Sequence, residues 1–174
     1  EFGIKYVLLE THGITYAKPK PLYGTLAPII SPSGLVAFGR DLESSKQVWS
    51  SICGYPGDPN YREFYKDIGY ELDWDYIKPY VSKSGHRVDT GIKYHKITGK
   101  SQYKEYYNDS NAKAVAELQA DHFINSRITQ IEKAAPNMKN PPIITCPYDA
   151  ELYGHWWYEG PYWLYVLFKK IYYS

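Results

Sequence analysis

A long helix is the feature that most restricts the fold of this chain. Between residues 109 and 135, apolar side chains recur at intervals of three and four, which predicts a helix with one face in a core. Asp109 or Ser110 is suited to cap its start, and Pro136 ends it. The predicted core face consists of Ala112, Val115, Leu118, Phe123, Ile124, Ile128 and Ile131.

Two apolar runs are typical of buried strands. Residues 4–9 have the sequence IKYVLL and residues 141–147 have the sequence PPIITCP. After the second run, Gly160 and Pro161 open a last helix, because proline is accepted in a first helical turn. Strands that alternate with helices predict an α/β fold, in which reactive groups gather where parallel strands end.

Residues 16–60 are rich in Pro, Gly and Ser, as in AKPKPLYG and GYPGDPN, and the loop-rich insertion is expected to span residues 16–108. This composition predicts a loop-rich insertion with short elements, including a hairpin at 27–38. So long an irregular segment in a compact domain is usually functional. The expected organisation is therefore this insertion, followed by a helix–strand–loop–helix unit at 109–174.

Charge and composition exclude some function classes and favour another. With 20 basic and 19 acidic residues, the net charge is +1, which lacks the positive field that nucleic-acid binding needs. Attraction to a membrane surface is equally unsupported, and no apolar run is long enough to span a bilayer. The 20 Tyr and 5 Trp offer flat apolar faces with polar edges, which match the faces and hydroxyls of sugars. A general compositional bias is the alternative.

The stretch PYDAELYGHWWYEGPYWL, residues 147–164, carries the candidate chemistry. Asp149 leaves the predicted strand at its edge, where partial burial would keep a carboxyl group protonated for use as a general acid. Capping of the strand end is the structural alternative. Glu151 lies two residues on, and such neighbours rarely address opposite sides of one bond, so that a supporting or structural role is expected for it.

Rings and imidazoles near this acid are candidate sugar-binding groups. We expect His155 to bond a hydroxyl and Trp157 to stack on a ring, while one indole of the pair Trp156 and Trp157 fills the core. His12, after the first predicted strand, binds substrate, orients a carboxylate or is structural.

Two further segments suit a polyhydroxyl ligand. Residues 38–50, FGRDLESSKQVWS, combine hydrogen-bonding side chains with Trp49, although a solvated loop pinned by that ring has the same composition. Residues 54–58, GYPGD, predict a tight turn whose glycines allow close approach of the backbone.

Neither a metal nor an organic cofactor is expected. The five histidines form no HxH or HxxxH pair, and no phosphate loop, nucleotide-binding fingerprint or nucleophile elbow is found. Cys53 and Cys146 are expected as small buried residues, which agrees with a reducing, cytoplasmic environment.

The sequence resembles glycoside hydrolase family 57. PYDAELYGHWWYEGPYWL is similar to the catalytic-acid motif of that family, in the form found in its 1,4-α-glucan branching enzymes. YVLLETHGI, SPSGLVAFGRDLESSKQVWS and GYPGDPNYREFYKDIG also match, in the order of the family. The matches span almost the whole chain, and only residues 99–108 look like an expanded loop.

The resemblance implies part of a seven-stranded (β/α) barrel with a retaining mechanism. Asp149 falls on the acid/base, and Arg40 and Gly57 fall on positions expected to contact the glucan. In the family, the nucleophilic glutamate lies before the first residue of this chain and a helical domain lies after the last. The isolated chain is therefore expected to be an inactive fragment.

The implied activity is transfer of α-1,4-glucan chains of glycogen or amylose to α-1,6 branches, in the cytoplasm and without a cofactor. A family 57 α-amylase or 4-α-glucanotransferase is the alternative within the family. A non-catalytic glucan-binding module is the alternative outside enzymes.

Overall fold

The computed structural model describes residues 3–81 and 85–174, so that residues 82–84 of the predicted insertion lie outside the described part. Its sheet contains β1 (Tyr6–Leu9), β2 (Ile29–Ile30) and β3 (Val36–Gly39) in the order β1-β3-β2. β1 and β3 are parallel, with Tyr6 opposite Val36, whereas β2 and β3 are antiparallel. The predicted hairpin at 27–38 is thus confirmed, although its strands are short.

Four helices lie in the first half of the chain. They are α1 (Thr11–Thr15), α2 (Leu42–Trp49), α3 (Ile68–Glu71) and α4 (Trp74–Val81), with short 3₁₀ turns at Gly24–Leu26 and Tyr55–Gly57. α2 begins at Asp41, whose side chain accepts a hydrogen bond of 2.8 Å from the backbone N–H of Ser44. The predicted insertion therefore contains short helices within irregular chain.

The second half is built on α5 (Asp109–Ala134) and α6 (Gly160–Tyr173), which pack together. Asn108, rather than Asp109 or Ser110, caps α5, since its side chain accepts from the backbone N–H of Asn111. The predicted core face is correct only in part, because the large apolar side chains Leu118, Ile128 and Ile131 are exposed. The buried face consists of Ala112, Ala116, Ala120, Phe123 and Arg127.

Three alanines on this face explain the difference. Spaced four residues apart, they leave room for the large side chains of α6, and Trp163 fills the space. Trp163 contacts Phe123 edge to face, with ring centroids 5.3 Å apart. The core is therefore built on α5 and α6, and Val48, Tyr55, Tyr61, Leu152 and Trp157 complete it.

The predicted buried strand at 141–147 is not observed. This segment makes one parallel bridge, between Thr145 and Arg40, and Ile143 is exposed. The run 4–9 is also less buried than predicted, since most side chains of β1 are exposed. Within the described residues, β1 pairs only with β3, and the segment 141–147 makes its one bridge to Arg40, directly after β3.

Candidate active site

Three parallel segments end close together. β1 is followed by Glu10, β3 by Arg40, and the extended segment beside β3 runs through Thr145 towards Asp149. The Nε atom of Arg40 lies 3.0 Å from Oε1 of Glu10. The hydroxyl of Thr11 donates to the carbonyl oxygen of Arg40 at 2.8 Å. The strand ends are therefore tied to one another, as expected for parallel strands.

A cavity of about 660 Å³ includes Asp149, which follows the third of these segments, among its lining residues. Four stretches of chain line it: the end of α2 with the Tyr55–Gly57 turn, the segment 62–65, residues 97 and 99, and the 149–157 stretch. The lining residues are Trp49, Ser51, Pro56, Gly57, Arg62, Glu63, Phe64, Tyr65, Ile97, Gly99, Asp149, Glu151, Leu152, Trp156 and Trp157. Sequence segments far apart in the chain thus form one site.

Three carboxylates line this cavity: Asp149, Glu151 and the buried Glu63. Asp149 precedes the turn Ala150–Leu152, and its carbonyl oxygen accepts from the backbone N–H of Leu152 at 3.1 Å. Its side chain makes no capping hydrogen bond to that turn. Asp149 and Glu151 are both exposed, so the predicted partial burial of Asp149 is wrong. The carboxylate is instead open to the cavity and available to a ligand.

The tryptophans of this stretch have different environments. Trp157 is 1% exposed and packs against Trp163, with ring centroids 5.5 Å apart. It therefore offers the cavity only an edge, and the predicted stacking of its face on a sugar is wrong. Trp156 is 50% exposed and lies over Phe64, with centroids 4.6 Å apart. Because Trp157 lies in the core, Trp156 is the member of this pair whose ring is open to the cavity.

Trp49 and Gly57 are far from Asp149 in the sequence but line the same cavity. Trp49, the last residue of α2, is 53% exposed. Gly57 ends a 3₁₀ turn, where a Cβ atom would lie 2.2 Å from the carbonyl oxygen of Ser51. A glycine is therefore required by close backbone packing at this wall of the cavity.

Three predicted site residues are not among those that line the cavity. His12 is exposed in α1, and Arg40 is paired with Glu10. His155 is exposed, with its ring edge against Trp156 at 5.1 Å between centroids. The structure thus brings Asp149, Trp49 and Gly57 together in one cavity. His12, Arg40 and His155 lie outside its lining.

The segment 62–65, with the sequence REFY, was not predicted to be part of the site. Glu63 is buried, and Nζ of Lys104 lies 3.4 Å from its Oε2. Lys104 also donates to the carbonyl oxygen of Gly99 at 3.0 Å, which holds the loop that begins there against the cavity. The combination of two charged and three aromatic residues in YREFY was the available signal for this wall.

Burial affects other groups near the site. Burial raises the pKa of Glu159, although the hydrogen bond that its carboxylate accepts from the backbone N–H of Arg62 opposes the change. Cys146 is partly buried, and burial raises the pKa of its thiol. Cys53 is exposed, which corrects the prediction that both cysteines are buried. Neither thiol forms a disulfide.

Residues 3–81 and 85–174 contain neither a metal-binding cluster nor a membrane-spanning helix. No group of three or more His, Cys, Asp or Glu side chains is arranged to hold a metal ion. None of the helices in this part has both the length and the apolar character needed to cross a membrane.

Comparison with known sequences gives relatives along almost the whole chain. No family model matches. The 1,4-alpha-glucan branching enzyme of Thermococcus kodakarensis is 33% identical over 186 aligned positions, which cover 99% of this chain and 25% of that enzyme. A probable 1,4-alpha-glucan branching enzyme of Mycobacterium tuberculosis is 31% identical over 138 positions, which cover 78% of this chain and 23% of the relative. The chain thus spans about a quarter of the curated relatives that it matches.

Solved structures show the same likeness. The alpha-amylase AmyC of Thermotoga maritima has a TM-score of 0.90 and 46% identity, over 98% of this chain and 33% of that chain. A GH57-type branching enzyme of Pyrococcus horikoshii has a TM-score of 0.78 and 34% identity, over 99% of this chain and 28% of that chain. The fold is therefore a mixed α/β fold similar to that of GH57 enzymes. The homologues of this chain are GH57 branching enzymes, and the resemblance to glycoside hydrolase family 57 is confirmed.

Proposed function

We propose that this chain is part of a 1,4-α-glucan branching enzyme, with Asp149 as its acid/base. The observation that carries the proposal is the exposed carboxylate of Asp149 in a cavity that also exposes Trp49 and Trp156. A proton donor beside open aromatic faces is the combination that a glycoside-cleaving site needs. The relatives named as branching enzymes add support.

The first step of the proposed reaction breaks an α-1,4 bond. Asp149 donates its proton to the glycosidic oxygen while a glutamate from outside this chain bonds to the anomeric carbon. The bond between that carbon and the oxygen breaks, and the outgoing glucan leaves with a new 4-hydroxyl. The other part of the glucan remains covalently attached to the glutamate.

The second step forms the branch. The carboxylate of Asp149 removes the proton from a 6-hydroxyl of an acceptor glucan, and that oxygen bonds to the anomeric carbon while the glutamate leaves. Transfer requires the acceptor to replace water, and the exposed rings of Trp49 and Trp156 offer faces for holding it. Glu151, in the same cavity, has a supporting role because it is too near in sequence to oppose Asp149 across one bond.

The role of Gly57 in this proposal is to bring the backbone of its turn close to the glucan, whereas Trp157 packs against Tyr61 and Trp163 in the core. Arg40, His12 and His155 remain proposed glucan contacts outside the described cavity lining. The larger context is also proposed: the chain forms part of a seven-stranded (β/α) barrel that works in the cytoplasm. The two unpaired cysteines agree with a reducing compartment.

One observation favours a second candidate function. The structural neighbour described as an alpha-amylase has higher identity and TM-score than the branching enzymes. In an α-amylase, water would replace the 6-hydroxyl in the second step, and the same cavity would hydrolyse the glucan. A 4-α-glucanotransferase would use a 4-hydroxyl instead.

The test uses the complete gene product that carries this chain, incubated with amylose. Branching predicts loss of iodine staining together with new α-1,6 linkages, detected as short chains released by a debranching enzyme, without a matching rise in reducing ends. A rise in reducing ends without α-1,6 linkages would instead establish hydrolysis. Binding of amylose without any change in its linkages would establish the non-catalytic module.

A further inference from the structure

We propose that Arg62 is a glucan-binding residue that holds neighbouring hydroxyls of one sugar unit. The proposal rests on the proposed function and adds a residue and a ligand geometry to the same site. Arg62 lines the cavity that contains Asp149 and Glu151. The proposal follows from how the backbone and the guanidinium group of Arg62 are held in place, and from the lack of a partner for its side-chain N–H donors among the described residues.

The backbone of Arg62 is fixed from two sides. Its N–H donates to Oε1 of Glu159 at 3.0 Å, and the residue pairs with Lys96 in an antiparallel bridge. Glu159 is itself buried, at the start of α6. Arg62 therefore emerges from a rigid part of the fold, directly after the buried Tyr61.

The guanidinium group is oriented by a ring rather than by a carboxylate. Its Cζ atom lies 3.7 Å from the ring centroid of Tyr158, a cation–π arrangement. The Tyr158 ring contacts Tyr107 edge to face, with centroids 6.2 Å apart, which limits its rotation. A ring holds the plane of a guanidinium group without using its N–H donors, so those donors stay available.

No carboxylate of the described residues lies within 4.0 Å of the Arg62 guanidinium, and its N–H groups make no hydrogen bond in this part of the chain. Glu63, the next residue, is paired with Lys104 instead. Arg62, a lining residue of the cavity, thus keeps a planar fork of donors without a partner among the described residues. Such a fork fits two adjacent acceptor oxygens.

The cavity indicates which acceptors these are. Asp149 and Glu151 line the same space, and their negative charge opposes the binding of an anion beside Arg62. Neutral vicinal hydroxyls, such as those on C2 and C3 of a glucose unit, satisfy the fork without that repulsion. The exposed face of Trp156 offers stacking for the same or the next ring.

The experiment is calorimetric titration, with maltoheptaose, of the complete gene product that carries this chain, in an Asp149→Asn background that prevents turnover. Arg62→Gln is expected to weaken binding by about tenfold, since hydrogen bonds from a charged donor are lost. Arg62→Lys is expected to weaken it by a similar factor, because an ammonium group cannot span two hydroxyls. Tyr158→Phe keeps the ring and is expected to bind within about twofold of the unaltered protein, whereas Tyr158→Leu is expected to weaken binding several-fold.

The controls separate this inference from the proposed function. Binding that falls in Trp156→Ala but stays within twofold in Arg62→Gln contradicts the role of Arg62 alone. No binding by the unaltered protein contradicts both. Inorganic phosphate is the anionic probe, and competition between phosphate and maltoheptaose that disappears in Arg62→Gln would make this an anion site and overturn the inference. If Arg62→Gln lowers the melting temperature, the test uses Arg62→Lys, which keeps the charge over Tyr158. Binding by Arg62→Lys within twofold of the unaltered protein then contradicts the role of the guanidinium group.

Discussion

The backbone N–H of Asp41 donates a hydrogen bond of 2.9 Å to the carbonyl oxygen of Thr145. This bond fixes the extended segment beside β3, and Asp149 follows four residues after Thr145. The Asp41 side chain also caps α2, the helix that ends at Trp49. One buried residue therefore positions both the proposed acid and a ring of the cavity.

Asp41→Ala is predicted to destabilise the chain by roughly 2–3 kcal/mol. The substitution removes the cap of α2 and leaves the side-chain amide of Gln130, which donates to Asp41 at 2.6 Å, without its acceptor. Urea unfolding measures the change. Asp41→Asn is the comparison, and an intermediate loss is expected, because its one amide oxygen can keep the cap of α2 but cannot also accept from Gln130. Equal stability of the Ala and Asn variants would contradict this role.

Neighbouring tryptophans are predicted to respond differently to the same substitution. Trp157→Ala removes a buried core ring and is expected to cost about 3–5 kcal/mol of unfolding free energy. Trp156→Ala removes a half-exposed ring, so its main effect is expected on binding, with maltoheptaose affinity about fivefold to tenfold lower. Unfolding and titration of both variants provide the comparison. The reverse pattern would show that the two rings have been assigned to the wrong roles.

Gly57→Ala is predicted to destabilise the Tyr55–Gly57 turn. A Cβ atom there would meet the carbonyl oxygen of Ser51 at 2.2 Å, and two backbone segments must separate to admit it. We expect a cost of about 1–3 kcal/mol, together with weaker glucan binding, because the turn lines the cavity. Gly99→Ala is the comparison, since its Cβ atom has no neighbour within 4 Å, although its φ of 60° adds some strain. A variant at Gly57 that is as stable as the unaltered chain would contradict the packing argument.

Acid stability is predicted to depend on Asp67. This side chain is buried, which acts to raise its pKa, but hydrogen bonds from Gly69, Thr90 and Gly91 outweigh that effect and hold the pKa below its ordinary value. The lowered pKa means that its contribution to stability is present above the ordinary aspartate pKa of 3.8 and is lost as the pH falls through the folded-state value.

Asp67→Asn tests this prediction. It is expected to cost about 2–4 kcal/mol at pH 7, because an amide cannot accept all four of these hydrogen bonds, and the loss is expected to shrink below pH 4. Urea unfolding at pH 7, 5 and 3 measures it. The exposed Asp73 is the control, and Asp73→Asn is expected to change stability by less than about 0.5 kcal/mol. A pH-independent loss at Asp67 would contradict the proposed titration.

The sequence was most informative about helices with clear end signals. α5 was predicted at 109–135 and lies at Asp109–Ala134, and α6 begins at Gly160 as predicted. The buried face of α5 was less predictable, because helical spacing does not reveal that alanines rather than Leu118 face α6. That choice depends on the size of Trp163 on the partner helix.

The candidate site shows a similar division. The cavity joins Asp149, Trp49 and Gly57, which were chosen from local chemistry or from the resemblance. Arg62 was missed, because its role depends on the Tyr158 ring almost a hundred residues away. The choice between Trp156 and Trp157 likewise depends on which ring meets Trp163, and an adjacent pair in a sequence carries no information about that.

The most direct test is the rate of α-1,6 branch formation on amylose by the complete gene product with Asp149→Asn. The amide keeps the size of the side chain but cannot transfer the proton, so kcat is predicted to fall by about 10²–10⁴-fold while KM stays nearly unchanged. Glu151→Gln, in the same cavity, is the matched control and is predicted to lower kcat by less than about tenfold. An Asp149→Asn enzyme that forms branches at the unaltered rate would contradict the assignment of Asp149 as the proton donor.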